Sequence, residues 1–251
     1  MWWTSPSWSA IAIAGLAGVV LCELNLYLTT AVLHRGTTHG AIHYPRWVER
    51  MIGIWLWATA CTPILTWVAA HQHHHVHADS EDDPHSPNRK GVWKVALLTW
   101  FYVTRWVRRN REFAEARYLR KFRNERVLHF LDGKWVAFLN FYLQIVASIA
   151  AGPAILAFWF SRIVPYMVLS GLVNAIGHSY GTRKFDNLGT DAVTFWQRIL
   201  GYLTGGETLG HNYHHRYVFS PTFRPGKFDP GLWFATRILR GVPSQPNTME
   251  G

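Results

Sequence analysis

The chain alternates between long apolar runs and short polar, histidine-bearing segments. Residues 8–33 hold a single charged side chain, Glu23, in 26 positions. At about 1.5 Å per residue such a helix extends roughly 39 Å, enough to cross a bilayer core. No basic residue precedes it, so it reads as a retained membrane helix and not as a cleaved leader. Trp2, Trp3 and Trp8 stand where interfacial aromatics would anchor one end. A second apolar run, 51–70, is broken by Pro63. A third, 135–177, is too long for one crossing and has turn candidates at Gly152-Pro153 and Ser161–Pro165, so it predicts a helical hairpin with two crossings. The cost of a charge at mid-bilayer places its Arg162 near the outer surface.

Between these runs lies 105–126, with nine Lys or Arg against three Glu. Its Trp106, Phe113, Tyr118 and Phe122 recur at helix-compatible intervals. The segment predicts a basic amphipathic helix resting on an anionic surface, cytoplasmic by the positive-inside rule. The pattern as a whole predicts an all-α integral membrane protein, a single domain over 1–251. It has about three to four transmembrane helices, interfacial amphipathic helices and a cytoplasmic histidine-rich cap. Residues 178–251 belong to that cap, ending in a loose tail from Ser244.

Composition narrows the field. Charged residues make up only 16% and hydrophobic residues 49%, which excludes a disordered chain or a fibre. The two cysteines, Cys22 and Cys61, sit in apolar runs outside any C-x-x-C pattern. They read as small buried hydrophobes in a reducing compartment. The formal net charge of +10 suits nucleic acid or an anionic membrane, and the flanking membrane helices favour the membrane.

The 14 histidines carry the chemistry. They include His34-Arg-Gly-Thr-Thr-His39, His71-Gln-His73-His74-His75 and His211-Asn-Tyr-His214-His215. The second and third groups share H-x-x-H-H, which puts positions i, i+3 and i+4 on one helix face. Imidazoles so gathered repel as cations; neutral and aimed at a metal they are sensible. One such match is commonly surface decoration, but two copies and an H-x4-H, each ending an apolar segment, are not chance. Tetrahedral zinc takes at most about four protein ligands, so this many histidines point to two metals. No H-E-x-x-H is present and no acidic residue lies within a cluster, which argues against a metallohydrolase. Imidazole alone does not choose among iron, copper, zinc and nickel. Histidine-bound metals at a membrane surface favour oxygen chemistry on an apolar substrate. A shared site requires all three clusters on one membrane face, so the 51–70 run must lie in the interface or dip in and return. His34 and His39, five apart, need a helix end or a turn to converge.

On these boxes the chain resembles the integral-membrane fatty-acyl desaturases. Trp67-Val-Ala-Ala-His71, Asp83-Pro-His-Ser-Pro87, Asn174-Ala-Ile-Gly-His178 and Gly205-Gly-Glu-Thr-Leu-Gly-His-Asn-Tyr-His-His215 extend the likeness over roughly residues 30–240. The resemblance implies nine histidine ligands: His34, His39, His71, His74, His75, His178, His211, His214 and His215. It implies Asn174 as a ligand through water. His43, His73, His77, His85 and His129 receive no ligand role, with His73 and His77 placed either beside ligands or in solvent. Family members usually have a hairpin ahead of the first box. Here only 33 residues precede His34, room for one crossing, which would leave the N-terminus outside.

The implied reaction inserts a carbon–carbon double bond into a fatty acyl chain. The substrate is a CoA or acyl-carrier-protein thioester, or a lipid. The cofactors are two iron ions, with dioxygen as co-substrate. The acyl tail would enter from the cytoplasmic face, and the basic segment would hold an anionic carrier or rest on lipid phosphates. With no dinucleotide fingerprint and no H-P-G-G haem motif, electrons would come from a separate ferredoxin-like or haem carrier. Hydroxylation or alkyne formation would use the same histidines. A non-catalytic membrane metal-binding protein is the reading from another class, and a nucleic-acid binder leaves the histidines unexplained.

Overall fold

The computed structural model describes residues 7–244, so Trp2, Trp3 and the tail beyond Ser244 lie outside the described residues. Helix α1, Trp8–Leu28, is capped by the Ser7 side chain, which accepts from the Ala10 amide. It continues without a break into a π-helical segment, Thr29–Thr38. That widening resolves the five-residue spacing of the first box. In an α-helix positions five apart diverge by about 140°. A π-helix is built on i→i+5 bonds, and here the His39 amide donates to the His34 carbonyl at 3.1 Å.

The 51–70 run is divided between α2 (Arg46–Ala60) and α3 (Ile64–His77), bent by 100° at the break. Cys61 ends α2 in the left-handed region (φ 53), and Pro63 opens α3. The start of α3 is held from another segment. Asp132 accepts from the Leu65 and Thr66 amides and from the Thr66 hydroxyl at 2.7–3.0 Å, satisfying groups that a helix N-terminus leaves open.

A short helix, α4 (Pro87–Lys90), leads into α5 (Val92–Arg109), which the hydropathy reading missed because Lys94 and the arginines after Thr104 interrupt its apolar run. The basic segment is not one helix. It is shared between the end of α5, the short α6 (Arg111–Arg117) and a 3-10 turn at Arg120–Phe122. Only part of its aromatic row behaves as expected: Tyr118 and Phe122 are buried, whereas Phe113 is 49% exposed. After α7 (Arg126–Leu131) comes the hairpin, α8 (Lys134–Ala151) and α9 (Pro153–Gly177). It turns at Gly152, whose φ of 108° suits glycine, followed by Pro153 at the first helical position. Ser161–Pro165, the other turn candidate, lies inside α9.

Helix α9 packs along α1 and α5. The contact with α1 depends on Gly18, where a Cβ would fall 2.5 Å from the Phe158 carbonyl oxygen, the close approach that small residues permit between membrane helices. Arg162, expected near the outer membrane surface, packs inside the bundle and is 8% exposed. It donates to Gln144 Oε1 on α8 at 2.6 Å and lies over Phe158, which offset the burial of its charge. Three helices are long and apolar enough to cross a membrane: 8–38, Lys134–Ala151 and Pro153–Gly177. The remainder forms α10 (Phe195–Leu203), α11 (His211–Arg216) and α12 (Pro230–Trp233), with π turns at Phe234–Ile238. A two-residue antiparallel pair, Ile42–His43 with Val242–Pro243, ties the C-terminal region beside the first box.

Candidate metal centre

Four elements deliver the histidines: the π segment, α3, the end of α9 and α11. On α3, His71, His74 and His75 share a face and His73 takes the opposite one. His73 stacks on Trp106 at 4.1 Å and bonds through Nδ1 to the Tyr118 hydroxyl, away from the cluster. His178 ends α9 with its amide on the Asn174 carbonyl. The approach of α11 to α9 requires Gly177, since a Cβ there would meet the His211 ring at 2.6 Å.

Most of the side chains gather into two adjoining groups, and a third set, Asp83 and His85 with His74, shares a histidine with the second. Donor atoms of His34, His39, His71, His75 and His214 lie within 4.8 Å of one another, and so do those of His74, His178 and His215. His211 flanks the second group, its ring 4.9 Å from His178 and 4.7 Å from His215, but its donor atom stands outside the same convergence. Asn174, one turn before His178, lines the cavity beneath. His43 is tied to Ser244, His77 packs on His73, and His129 bonds the Phe122 carbonyl; none joins either group.

Three carboxylates, each close to a box in sequence yet missed by the search within the boxes, orient the rings. His34 Nδ1 donates to Glu207 at 2.8 Å, His74 Nδ1 to Asp83 at 2.9 Å and His178 Nδ1 to Asp79 at 3.0 Å. Glu207 also accepts from the Thr30 hydroxyl. Burial works against charge on Asp79 and Asp83, but the histidines facing each hold its pKa below the usual carboxylate range. Burial and neighbouring imidazoles keep His211, His214 and His215 far below the ordinary histidine value, and so neutral.

With Nδ1 of His74 and His178 each turned to a carboxylate, Nε2 is the nitrogen that each ring presents to the cluster. Those two Nε2 atoms face each other at 3.0 Å. His34 and His214, and His214 and His75, meet Nε2 to Nε2 at the same distance. Buried ring nitrogens of His39, His211, His214 and His215 find no partner among the described residues. Facing ring nitrogens and orphaned ring nitrogens in a buried site fit bound cations. Imidazoles oriented by carboxylates through the other ring nitrogen are the usual support of metal ligands. His85, which received no role in the sequence, is buried against His74 at 4.6 Å with neither nitrogen partnered. Burial drives its pKa down to about 3, and it too lines the cavity.

That cavity has a volume of about 750 Å³, and His34, His71, His85 and His211 are part of its lining. Trp67, stacked on His71 at 4.7 Å, and Leu65, Val103, Phe141 and Val173 give it mostly apolar walls. The arrangement suits an extended apolar chain with one stretch held against the histidines.

Comparison with known proteins agrees with that chemistry. The family model described as "Fatty acid desaturase" matches residues 6–226. The sn-1 stearoyl-lipid 9-desaturase of Anabaena variabilis is 28% identical over 239 residues, covering 93% of this chain and 82% of that protein. Delta-9 acyl-lipid desaturase 2 of Arabidopsis thaliana is 27% identical over 197 residues, covering 76% of this chain and 60% of that protein. The acyl-CoA C20 Delta5-desaturase of Anemone leveillei is 27% identical over 215 residues, covering 85% and 64% respectively. Against these two plant relatives the chain spans less than two thirds of the protein it matches. With the match running through all three histidine boxes, the chain belongs to the fatty acid desaturase family.

Proposed function

We propose that the protein uses dioxygen to place a carbon–carbon double bond in a fatty acyl chain, at two iron ions held by its histidines. The observation that carries this reading is the 3.0 Å approach of His74 Nε2 to His178 Nε2, each ring held from behind at Nδ1 by a carboxylate. His34, His39, His71, His75 and His214 would hold one iron. His74, His178, His211 and His215 would hold the other, with Asn174 reaching it through water. Bound iron supplies the activation of dioxygen and the removal of hydrogen from an unactivated methylene, for which no side chain suffices.

The chain's own residues do the rest. Glu207, Asp83 and Asp79 keep a proton on Nδ1 of His34, His74 and His178, so Nε2 of each stays free to coordinate. The apolar walls hold the acyl chain extended and exclude water from the histidine end. In balance, two hydrogens leave the chain, two electrons and two protons arrive from outside, and one dioxygen becomes two waters. The electrons come from a separate ferredoxin-like or haem carrier.

The histidine face is the cytoplasmic one. The basic segment supports this, since Trp106 stacks on His73 and Lys121 donates to the Thr37 carbonyl, placing that segment beside the boxes. The test is turnover of the iron-loaded, membrane-reconstituted protein with saturated acyl substrates, a reductant and dioxygen. Products are read by mass spectrometry, and anaerobic and His214→Ala samples serve as controls. Oxygen-dependent unsaturated product, absent from both controls, is expected. Saturated chains throughout, from protein carrying its full iron, would refute the reading.

A further inference from the structure

His85 is buried against the cluster yet joins neither metal group. It lies in the turn between α3 and α4, where Asp83 serves two histidines at once. Asp83 Oδ2 takes His74 Nδ1 at 2.9 Å, and Oδ1 takes the backbone amide of His85 at 2.9 Å. That amide bond lays the His85 ring on His74, with centroids 4.6 Å apart and planes 29° from parallel, but leaves the ring nitrogens unserved. Nδ1 stands 3.9 Å from Asp83 Oδ1, beyond hydrogen-bonding reach. Neither Nδ1 nor Nε2 has a partner among the described residues, although the residue is only 2% exposed. A neutral imidazole carries one donor and one acceptor, and leaving both unmet in a buried site is costly.

The ring's surroundings supply the missing partner. The Asn174 side chain stands close to it from α9, yet no direct hydrogen bond closes between the two. Both residues line the cavity. A gap between two polar side chains on a cavity wall is a place for a water that both can bond. The same two residues flank the facing nitrogens of the second group: His85 stacks on His74, and Asn174 lies one turn before His178. Two simpler roles for His85 fit less well. A packing role needs only an apolar ring of that size and leaves both nitrogens unexplained. A role as a further histidine ligand needs a nitrogen converging with those of His178 and His215, whereas His85 converges with His74 and Asp83, which are spent on each other.

We infer that His85 is a positioning residue for the water through which Asn174 reaches the second iron. The ring holds one side of that water and the Asn174 amide the other, and Asp83 fixes the ring by its backbone. Asp83 thereby orients His74 and the water together, through its two oxygens. This deepens the proposed di-iron reading and rests on it.

The test is Mössbauer spectroscopy of the full chain in detergent, reconstituted with isotopically enriched ferrous iron, in the wild type and two variants whose iron content is measured alongside. His85→Phe keeps a ring to stack on His74 but cannot bond a water; His85→Gln loses the ring but keeps a donor and an acceptor. The wild type is expected to show a separate quadrupole doublet for each iron. His85→Phe should keep its iron and shift the doublet of one ion while the other stays in place, and His85→Gln should restore the wild-type spectrum. The reverse pattern, a normal spectrum in His85→Phe and a shifted one in His85→Gln, would show that the ring acts by packing and would overturn the inference. So would wild-type spectra in both variants, a shift in both, or loss of iron from His85→Phe. Each of those results, obtained beside a wild type with its full iron, leaves the desaturase reading intact. Wild-type protein that takes up no iron would defeat that reading and the inference with it.

Discussion

Arg35 and Asp229 form a buried ion pair directly behind the histidines, joining the first box to a segment 194 residues further along the chain. Arg35 Nη1 reaches both carboxylate oxygens, at 3.0 and 3.1 Å. Its guanidinium lies 3.8 Å over the Phe223 ring, which packs in turn on His34 and His214 at 5.5 and 4.4 Å. Asp229 further accepts from the Phe223 and Leu232 amides. The ion pair thus ties the π segment to the start of α12 and holds Phe223, which packs on His214 of α11.

Removing one partner of such a pair leaves an uncompensated buried charge, at a cost of about 3–5 kcal/mol. Asp229→Ala is expected to lower the thermal unfolding midpoint in detergent sharply and to lose iron from the group containing His34 and His214. A variant with unchanged midpoint and full iron would show that the pair does not position the box.

The carboxylates act through the rings they touch. Asp83→Asn keeps the size of the side chain but weakens its hold on His74 Nδ1–H. Iron affinity, measured by competition with a chelator, is expected to fall about 10–100-fold, with the unfolding midpoint little changed. Unaltered affinity would mean that the imidazole is fixed by packing alone.

The two faces of α3 separate the proposed ligands from a histidine that turns away. His71→Ala should lose iron, because His71 points into the first group. His73→Phe should keep it, because His73 stacks on Trp106 and bonds Tyr118 on the far side. Elemental analysis of both variants decides; loss of iron in His73→Phe would break the assignment of faces.

How much of this is legible in the sequence depends on how local each feature is. The hairpin was, because Gly152-Pro153 interrupts an otherwise unbroken apolar run. So was the shared face of His71, His74 and His75, which helical spacing dictates. The convergence of His34 and His39 was posed as a problem but not solved, since nothing in the residues announces a π-helix. The carboxylates were overlooked because Asp79 meets His178 across 99 residues and Glu207 meets His34 across 173. Acidic residues flanking the boxes were the available signal. The break of the basic segment follows from tertiary packing: Tyr118 and Phe122 turn into the core between short helices, which one straight amphipathic helix would not allow.

Asp132 gives stability a pH dependence with a definite sign. Burial pushes its carboxyl up to about 6 although the Thr66 and Leu65 groups favour the charge. Raised above its unfolded value of 3.8, the folded protein holds the proton more tightly than the unfolded chain does between those two pH values. Stability contributed by the protonated form is therefore full below pH 3.8 and is lost as pH rises through about 6, by roughly 3 kcal/mol. Asp132→Asn removes the titration. The variant's stability relative to wild type is expected to rise between pH 4 and 7, measured by thermal unfolding in detergent. A difference that stays flat across that range would contradict the assignment.

The central claim is that the facing imidazoles are held together by two metal ions. Its most direct test is iron per chain, by elemental mass spectrometry on detergent-purified protein reconstituted under anaerobic conditions. About two irons per chain are expected, falling toward one when His214 is replaced by alanine. Well-folded protein that retains almost no metal after reconstitution would contradict the claim.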